Sequence, residues 1–146
     1  MKRVGWLVLI SVVVLAACAP AASGPKVSVE GVWGRPSPKI ATAGAFYMIF
    51  KNTGNAADTL TAATSTACGT VEMHETVDKG GMMEMVPIVG QKIAVPAGGT
   101  VELKPGGTHI MCIDKKADFA AGSKIPLTLT FEKSGEMKFD AEIRDQ

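Results

Sequence analysis

The sequence predicts an all-β fold, a sandwich or barrel of short antiparallel strands. Three observations predict it. After Lys26 no segment carries a long apolar period of 3.6 residues, the mark of an amphipathic helix. Apolar residues recur instead at every second position, or in short continuous runs. Gly, Pro, Asn and Asp punctuate those runs at close intervals, as turns between strands require.

Residues 27–33 (V-S-V-E-G-V-W) largely alternate and give a first strand. G-R-P-S-P at 34–38 ends it, because two prolines cannot serve a central ladder. Residues 43–51 (A-G-A-F-Y-M-I-F-K) are almost continuously apolar, as in a buried strand, and the N-T-G-N turn at 52–55 follows. Residues 58–66 are rich in threonine, which suits a further strand. Residues 71–77 alternate. Val71, Met73, Glu75 and Val77 share one face, and Glu72, His74 and Thr76 the other, more polar one. D-K-G-G at 78–81 turns the chain into a short strand at 82–86. Short strands follow at 91–95, 100–103 and 108–113, separated by turns at 96–99 (P-A-G-G) and 104–107 (K-P-G-G). Residues 114–123 form a loop or a single helical turn. Residues 124–133 set Ile125, Leu127, Leu129 and Phe131 on one face, and 136–143 do the same with Met137, Phe139, Ala141 and Ile143. Ser134 and Gly135 join these two into a long hairpin. One domain, residues 27–146, accommodates all the strands.

A different kind of segment precedes it. Met1-Lys2-Arg3 is basic, and residues 5–17 are apolar but for Ser11. That run is short of the about 20 apolar residues a membrane-spanning helix needs. Basic start and short apolar core together read as a secretory signal over residues 1–17. Leu15-Ala16-Ala17-Cys18 resembles a bacterial lipobox, which implies cleavage before Cys18 and a lipid on that cysteine. The alternative is an ordinary small-residue cleavage site with an incidental cysteine. Residues 18–26 (C-A-P-A-A-S-G-P-K) are small, polar and broken by proline, a flexible tether. The expectation is an exported protein that meets the membrane through its lipid anchor only.

The 15 basic and 14 acidic side chains nearly cancel, and loss of Lys2 and Arg3 with the signal tips the balance slightly acidic. No basic patch or run is present, which argues against nucleic acid as a partner. Cys68 and Cys112 are the two cysteines of the domain. In an exported protein they form either a disulfide or a pair of buried free thiols. There is no G-x-S-x-G and no H-E-x-x-H, and no nucleophile with an oriented base is visible, so catalysis is not expected.

Chemistry concentrates in residues 71–111. Both histidines lie there, with Met73, Met82, Met83, Met85 and Met111, five of the eight methionines. On a strand His109 and Met111 project together while Ile110 and Cys112 face the other way. Gly106 and Gly107 permit a tight turn before them and add no side chain to crowd the site. An imidazole beside a thioether is half a site for a soft ion. His74 and Met85, across the turn at 78–81, can supply the other half. Two imidazoles and two thioethers are neutral donors, a set that favours Cu(I) over Zn(II). Each of these residues taken singly also has a structural reading, the methionines as core filler above all. A blue-copper electron carrier would instead need a cysteine thiolate, and Cys112 points away from His109 on a regular strand.

These residues resemble a known family, the bacterial periplasmic copper chaperones written PCu(A)C. Their site follows the pattern H-(M)-x10-M-x21-H-x-M. Here ten residues separate His74 from Met85, twenty-three separate Met85 from His109, and His109-Ile110-Met111 closes the pattern. V-W-G-R-P at 32–36, A-F-Y-M-I-F-K-N at 45–52 and P-G-G-T-H-I-M at 105–111 extend the resemblance over residues 27–143. It implies a cupredoxin-like β-sandwich that holds Cu(I) through His74, Met85, His109 and Met111 at an exposed site. It also implies copper delivery by ligand exchange to the CuA centre of cytochrome c oxidase, alongside Sco-type proteins. Two departures stand out. Glu75 occupies the place of the optional methionine, and the two extra residues fall among the turns at 87–99. Met73, Met82 and Met83 are left as core residues or neighbours of the ligands. The competing expectation is a metal-free interaction or adhesion module on the same scaffold.

Overall fold

Ten strands carry the computed structural model, which describes residues 24–145, and no helix occurs among those residues. The signal segment at 1–17, Cys18 and the start of the tether lie outside the described residues. In chain order the strands are β1 (Val27–Gly34), β2 (Ala43–Asn52), β3 (Asp58–Thr64), β4 (Thr70–Lys79), β5 (Met82–Pro87), β6 (Ile93–Val95), β7 (Thr100–Leu103), β8 (His109–Ile113), β9 (Lys124–Phe131) and β10 (Gly135–Ile143).

Hydrogen bonds link them in the order β5-β4-β8-β2-β1-β10-β9-β3-β6, with β7 on the free end of β2. The expected alternation sorts β9 and β10 as the sequence requires. Ile125, Leu127, Leu129, Phe131, Ala141 and Ile143 are all buried. Opposite them β2 inserts Phe46, Met48 and Phe50, and Phe50 meets Phe131 edge-on at 5.4 Å between ring centroids. Each such fully buried side chain contributes about 1.5–3 kcal/mol. Tyr47 is buried as well, so β2 is covered on both faces, as its continuous apolar run demands.

The structure departs from expectation in two places. β1 and β10 run parallel, with Trp33 beside Glu142, so the sheet is mixed and not purely antiparallel. Residues 114–123 take the loop alternative, with no helical turn. They carry Phe119 into the core and a single bridge from Phe119 to Ser37. The Phe119 ring fills the space above Gly44, where an added Cβ would come within 2.5 Å of it. Second, the strand expected at 91–95 shortens to three residues, because Gly90 and Gln91 both adopt positive φ.

A disulfide joins Cys68, just before β4, to Cys112 near the end of β8, with 5.4 Å between Cα atoms. Both residues are buried. The choice left open by the sequence therefore falls on the disulfide.

Candidate metal centre

β4 lies antiparallel between β5 and β8, and its register assembles the centre. His74 stands opposite His109, Glu72 opposite Met111, and Thr76 opposite Met85. Directly opposed residues share a sheet face. His74, Met85, His109 and Met111 therefore project from one face of three adjacent strands. Opposed side chains start about 5 Å apart and diagonal ones about 7–8 Å, within reach of long side chains. The two imidazole centroids are 5.8 Å apart. Met73, Ile110 and Cys112 point the other way, into the core.

Local sequence fixes this register. Gly80 and Gly81 both take positive φ, as a tight two-residue hairpin requires, and the Gly81 N–H donates to Asp78 Oδ1 at 2.6 Å. Where β5 ends at Pro87, the Gln91 side chain takes over the ladder. Its Oε1 accepts the Met73 N–H at 2.6 Å and its Nε2 donates to the Met73 carbonyl at 3.1 Å. Before β8, the Gly107 carbonyl accepts from His109 Nδ1 at 3.0 Å and from Thr76 Oγ1 at 3.3 Å, which ties β8 to β4.

The histidines are deep and the methionines shallow. His109 is 3% exposed and His74 8%, Met111 is half-buried, and Met85 is 58% exposed. The polar face of β4 is thus not a solvent face at His74, because β8 lies beside it. Met85, His109 and Met111 line one open cleft of about 250 Å³, whose other wall is Arg35, Pro36, Ser37, Pro38 and Tyr47. His74 stands beside His109 and is not part of that lining. Lys115 holds the far wall in place, donating to the carbonyls of Ser37 and Pro38 at 3.0 and 3.1 Å. This wall was not legible in the motif. Ala45, the residue opposite Met111 on β2, leaves room for the thioether.

The hydrogen bonds leave each ring one free nitrogen. His109 donates through Nδ1, so its lone pair is on Nε2. Burial holds the His109 imidazole below its ordinary pKa, a direction that His74 reinforces and the hydrogen bond to Gly107 opposes. His74 Nε2 lies 2.9 Å from Glu72 Oε2, and its Nδ1 is buried with no hydrogen-bond partner. Orphaned buried polar atoms are uncommon, and a soft cation is one group that would satisfy this one. No cluster of three His, Cys, Asp or Glu residues suited to a metal occurs among the described residues. Two imidazoles and two thioethers on one sheet face are neutral donors of the kind that suits a soft cation such as Cu(I).

One expectation needs correction. Met82 and Met83 are neither core nor buried; they are 74% and 65% exposed. Only Met73 of that trio enters the core. The blue-copper alternative loses its ligand, since Cys112 is bonded to Cys68 and faces the core.

Known proteins share this arrangement of strands. The chain is similar to the copper-bound PCuAC domain from PmoF2, with 26% identity, a TM-score of 0.69, and coverage of 83% of this chain and 94% of that one. It is also similar to Cu(I)-DR1885 from Deinococcus radiodurans, with 25% identity, a TM-score of 0.63, and coverage of 88% and 85%. Fold and site together define the class, a cupredoxin-like β domain of the PCuAC kind. The chain belongs to the family described as "Putative lipoprotein LpqE-like", whose model matches residues 27–143. Among individual relatives, "Putative lipoprotein Lxx21020" of Leifsonia xyli subsp. xyli is 38% identical over 95 residues, 65% of this chain. The uncharacterized protein RP573 of Rickettsia prowazekii is 31% identical over 114 residues, 76% of this chain. The matched stretches span 57% and 62% of those two proteins.

Proposed function

We propose that the protein is an extracytoplasmic Cu(I) metallochaperone, anchored by a lipid on Cys18, with His74, Met85, His109 and Met111 as its copper ligands. The observation that carries this reading is the single face of β5, β4 and β8. It gathers two buried imidazoles, each with a free nitrogen, and two more exposed thioethers. The similarity to copper-bound PCuAC domains supports it, as does the lipoprotein description of the family.

The mechanism is ligand exchange without turnover. The imidazoles hold the ion from inside the sheet face. Met85 and Met111 hold it from the cleft, and thioethers are neutral, soft donors that add no charge to it. An incoming ligand from a partner approaches across the open cleft and displaces a methionine first. The histidines hold the ion until further ligands of the partner replace them in turn, and it then passes on. The proposed recipients are the CuA centre of cytochrome c oxidase and Sco-type proteins.

Titration of Cu(I) against a competing chelator tests the site. Wild type is expected to compete. His109→Ala and Met111→Leu are each expected to weaken binding by tenfold or more. Equal affinity in all three proteins would reject this copper site, and a wild type that fails to compete would leave a metal-free interaction module. Transfer to a purified CuA domain, followed by its visible spectrum, tests delivery.

A further inference from the structure

We infer that Glu72 is a positioning residue that decides which nitrogen of His74 meets the metal. The inference rests on the copper reading above. Glu72 and His74 are two residues apart on β4, so both side chains leave the same face. Glu72 Oε2 lies 2.9 Å from His74 Nε2. A carboxylate only accepts, so Nε2 carries the proton. The lone pair of the neutral ring then resides on Nδ1, the buried nitrogen that has no partner.

His109 is held in the opposite sense. Its Nδ1–H donates to the Gly107 carbonyl, and Nε2 is left free. The two rings lie 5.8 Å apart, tilted by 55°, and their unbonded nitrogens are unlike, Nδ1 on His74 and Nε2 on His109. Two acceptors create that asymmetry. One is backbone and is fixed by the turn at Gly106 and Gly107. The other is the side chain of Glu72, the one component that substitution can remove without touching a ligand. A carboxylate in this position also makes the imidazole a better donor to a metal. Glu72 stands opposite Met111 in the β4–β8 register, so its negative charge lies beside a donor set that is otherwise neutral. One carboxylate balances one monovalent cation.

The test has two independent readings. Long-range 1H–15N correlation spectra of the metal-free protein, taken at mildly alkaline pH, report the proton position on each ring. Wild type is expected to show His74 protonated on Nε2 and His109 on Nδ1. Glu72→Ala is expected to release His74 into a mixture of tautomers and to leave His109 unchanged. Glu72→Gln keeps an acceptor oxygen and is expected to retain the wild-type pattern. In Cu(I) competition, Glu72→Ala is expected to lose about 10–100-fold in affinity, the usual cost of removing a partner of a metal-bound histidine. Glu72→Gln should recover most of that loss. Glu102→Ala, which removes a carboxylate from β7, should change neither reading. A wild-type His74 protonated on Nδ1 overturns the proposal, and so does a Glu72→Ala variant with unaltered tautomer and affinity. A wild type that binds no Cu(I) overturns the copper reading itself, while the spectra still decide the role of Glu72 toward the ring.

Discussion

Among the described residues, methionine sulfur meets three kinds of environment, and they predict three reactivities. Met48 and Met73 are sealed in the core, Met111 is half-buried in the cleft, and Met82, Met83 and Met85 stand in solvent. Brief peroxide treatment followed by peptide mass spectrometry is expected to oxidise Met82, Met83 and Met85 first and Met48 and Met73 last. Loading with Ag(I), a redox-inert soft surrogate for Cu(I), should then protect Met85 and Met111 but not Met82 or Met83. Uniform protection of all the exposed methionines would contradict the ligand assignment. Strand parity made much of this legible, because it paired His109 with Met111 and separated both from Ile110 and Cys112. Burial was harder to read. His74 lies on the more polar face of its own strand, and only the pairing of β4 with β8 encloses it. Met82 and Met83 deceived in the other direction, since nothing in the sequence states that β5 lies at the sheet edge.

Strands, turns and one covalent link hold those side chains in register. The alternating runs located nine of the ten strands closely, and β6 was overextended because Gly90 and Gln91 bend the chain before Ile93. The parallel pairing of β1 with β10 was illegible. It joins strands at opposite ends of the chain, and local pattern carries no record of such a pairing. The disulfide is the covalent counterpart of that long-range information. It closes a loop of 44 residues that contains β4, β5, β6 and β7, and it fastens the entry to β4 against β8. The double variant Cys68→Ala/Cys112→Ala is expected to lose about 2–4 kcal/mol in urea unfolding, chiefly through a less constrained unfolded chain. A loss below about 1 kcal/mol would show that packing alone sets the β4–β8 register.

At the scale of the whole molecule, a buried carboxylate outside the cleft lining ties three strands together. Asp58 Oδ1 accepts the N–H groups of Thr59 and Lys133 at 2.8 and 2.9 Å, and Oδ2 accepts that of Ser134 at 2.9 Å. It thereby fixes the β9–β10 turn to the start of β3. Burial alone would raise its pKa, but hydrogen bonds involving Ser134, Lys133 and Thr59 outweigh that and hold it below the usual carboxylate value. A depressed folded pKa stabilises above the unfolded value of about 3.9 and loses that contribution as pH falls through the folded value. Asp58→Asn is expected to cost about 1–3 kcal/mol at neutral pH. The difference from wild type in chemical unfolding should shrink below about pH 4. A gap that stays constant to acid pH would assign the effect to shape and not to charge. The all-β class was plain from the sequence, because it rests on local alternation. This clamp was not, because Asp58 reads in isolation as the polar start of a threonine-rich strand.

β5 is paired on one side only, and it carries one of the four proposed ligands. The other three belong to β4 and β8, which have neighbours on both sides. Edge hairpins open locally at far lower cost than the whole domain unfolds. Release of Met85 is then a motion of the scaffold as well as a bond-breaking event, and the lifetime of the bound ion is coupled to fraying of β5. Amide hydrogen exchange should be faster in β5 than in β8, and loading with metal should slow it in β5 most of all. A chaperone of this design would set the pace of copper release by how tightly its outermost strand is held.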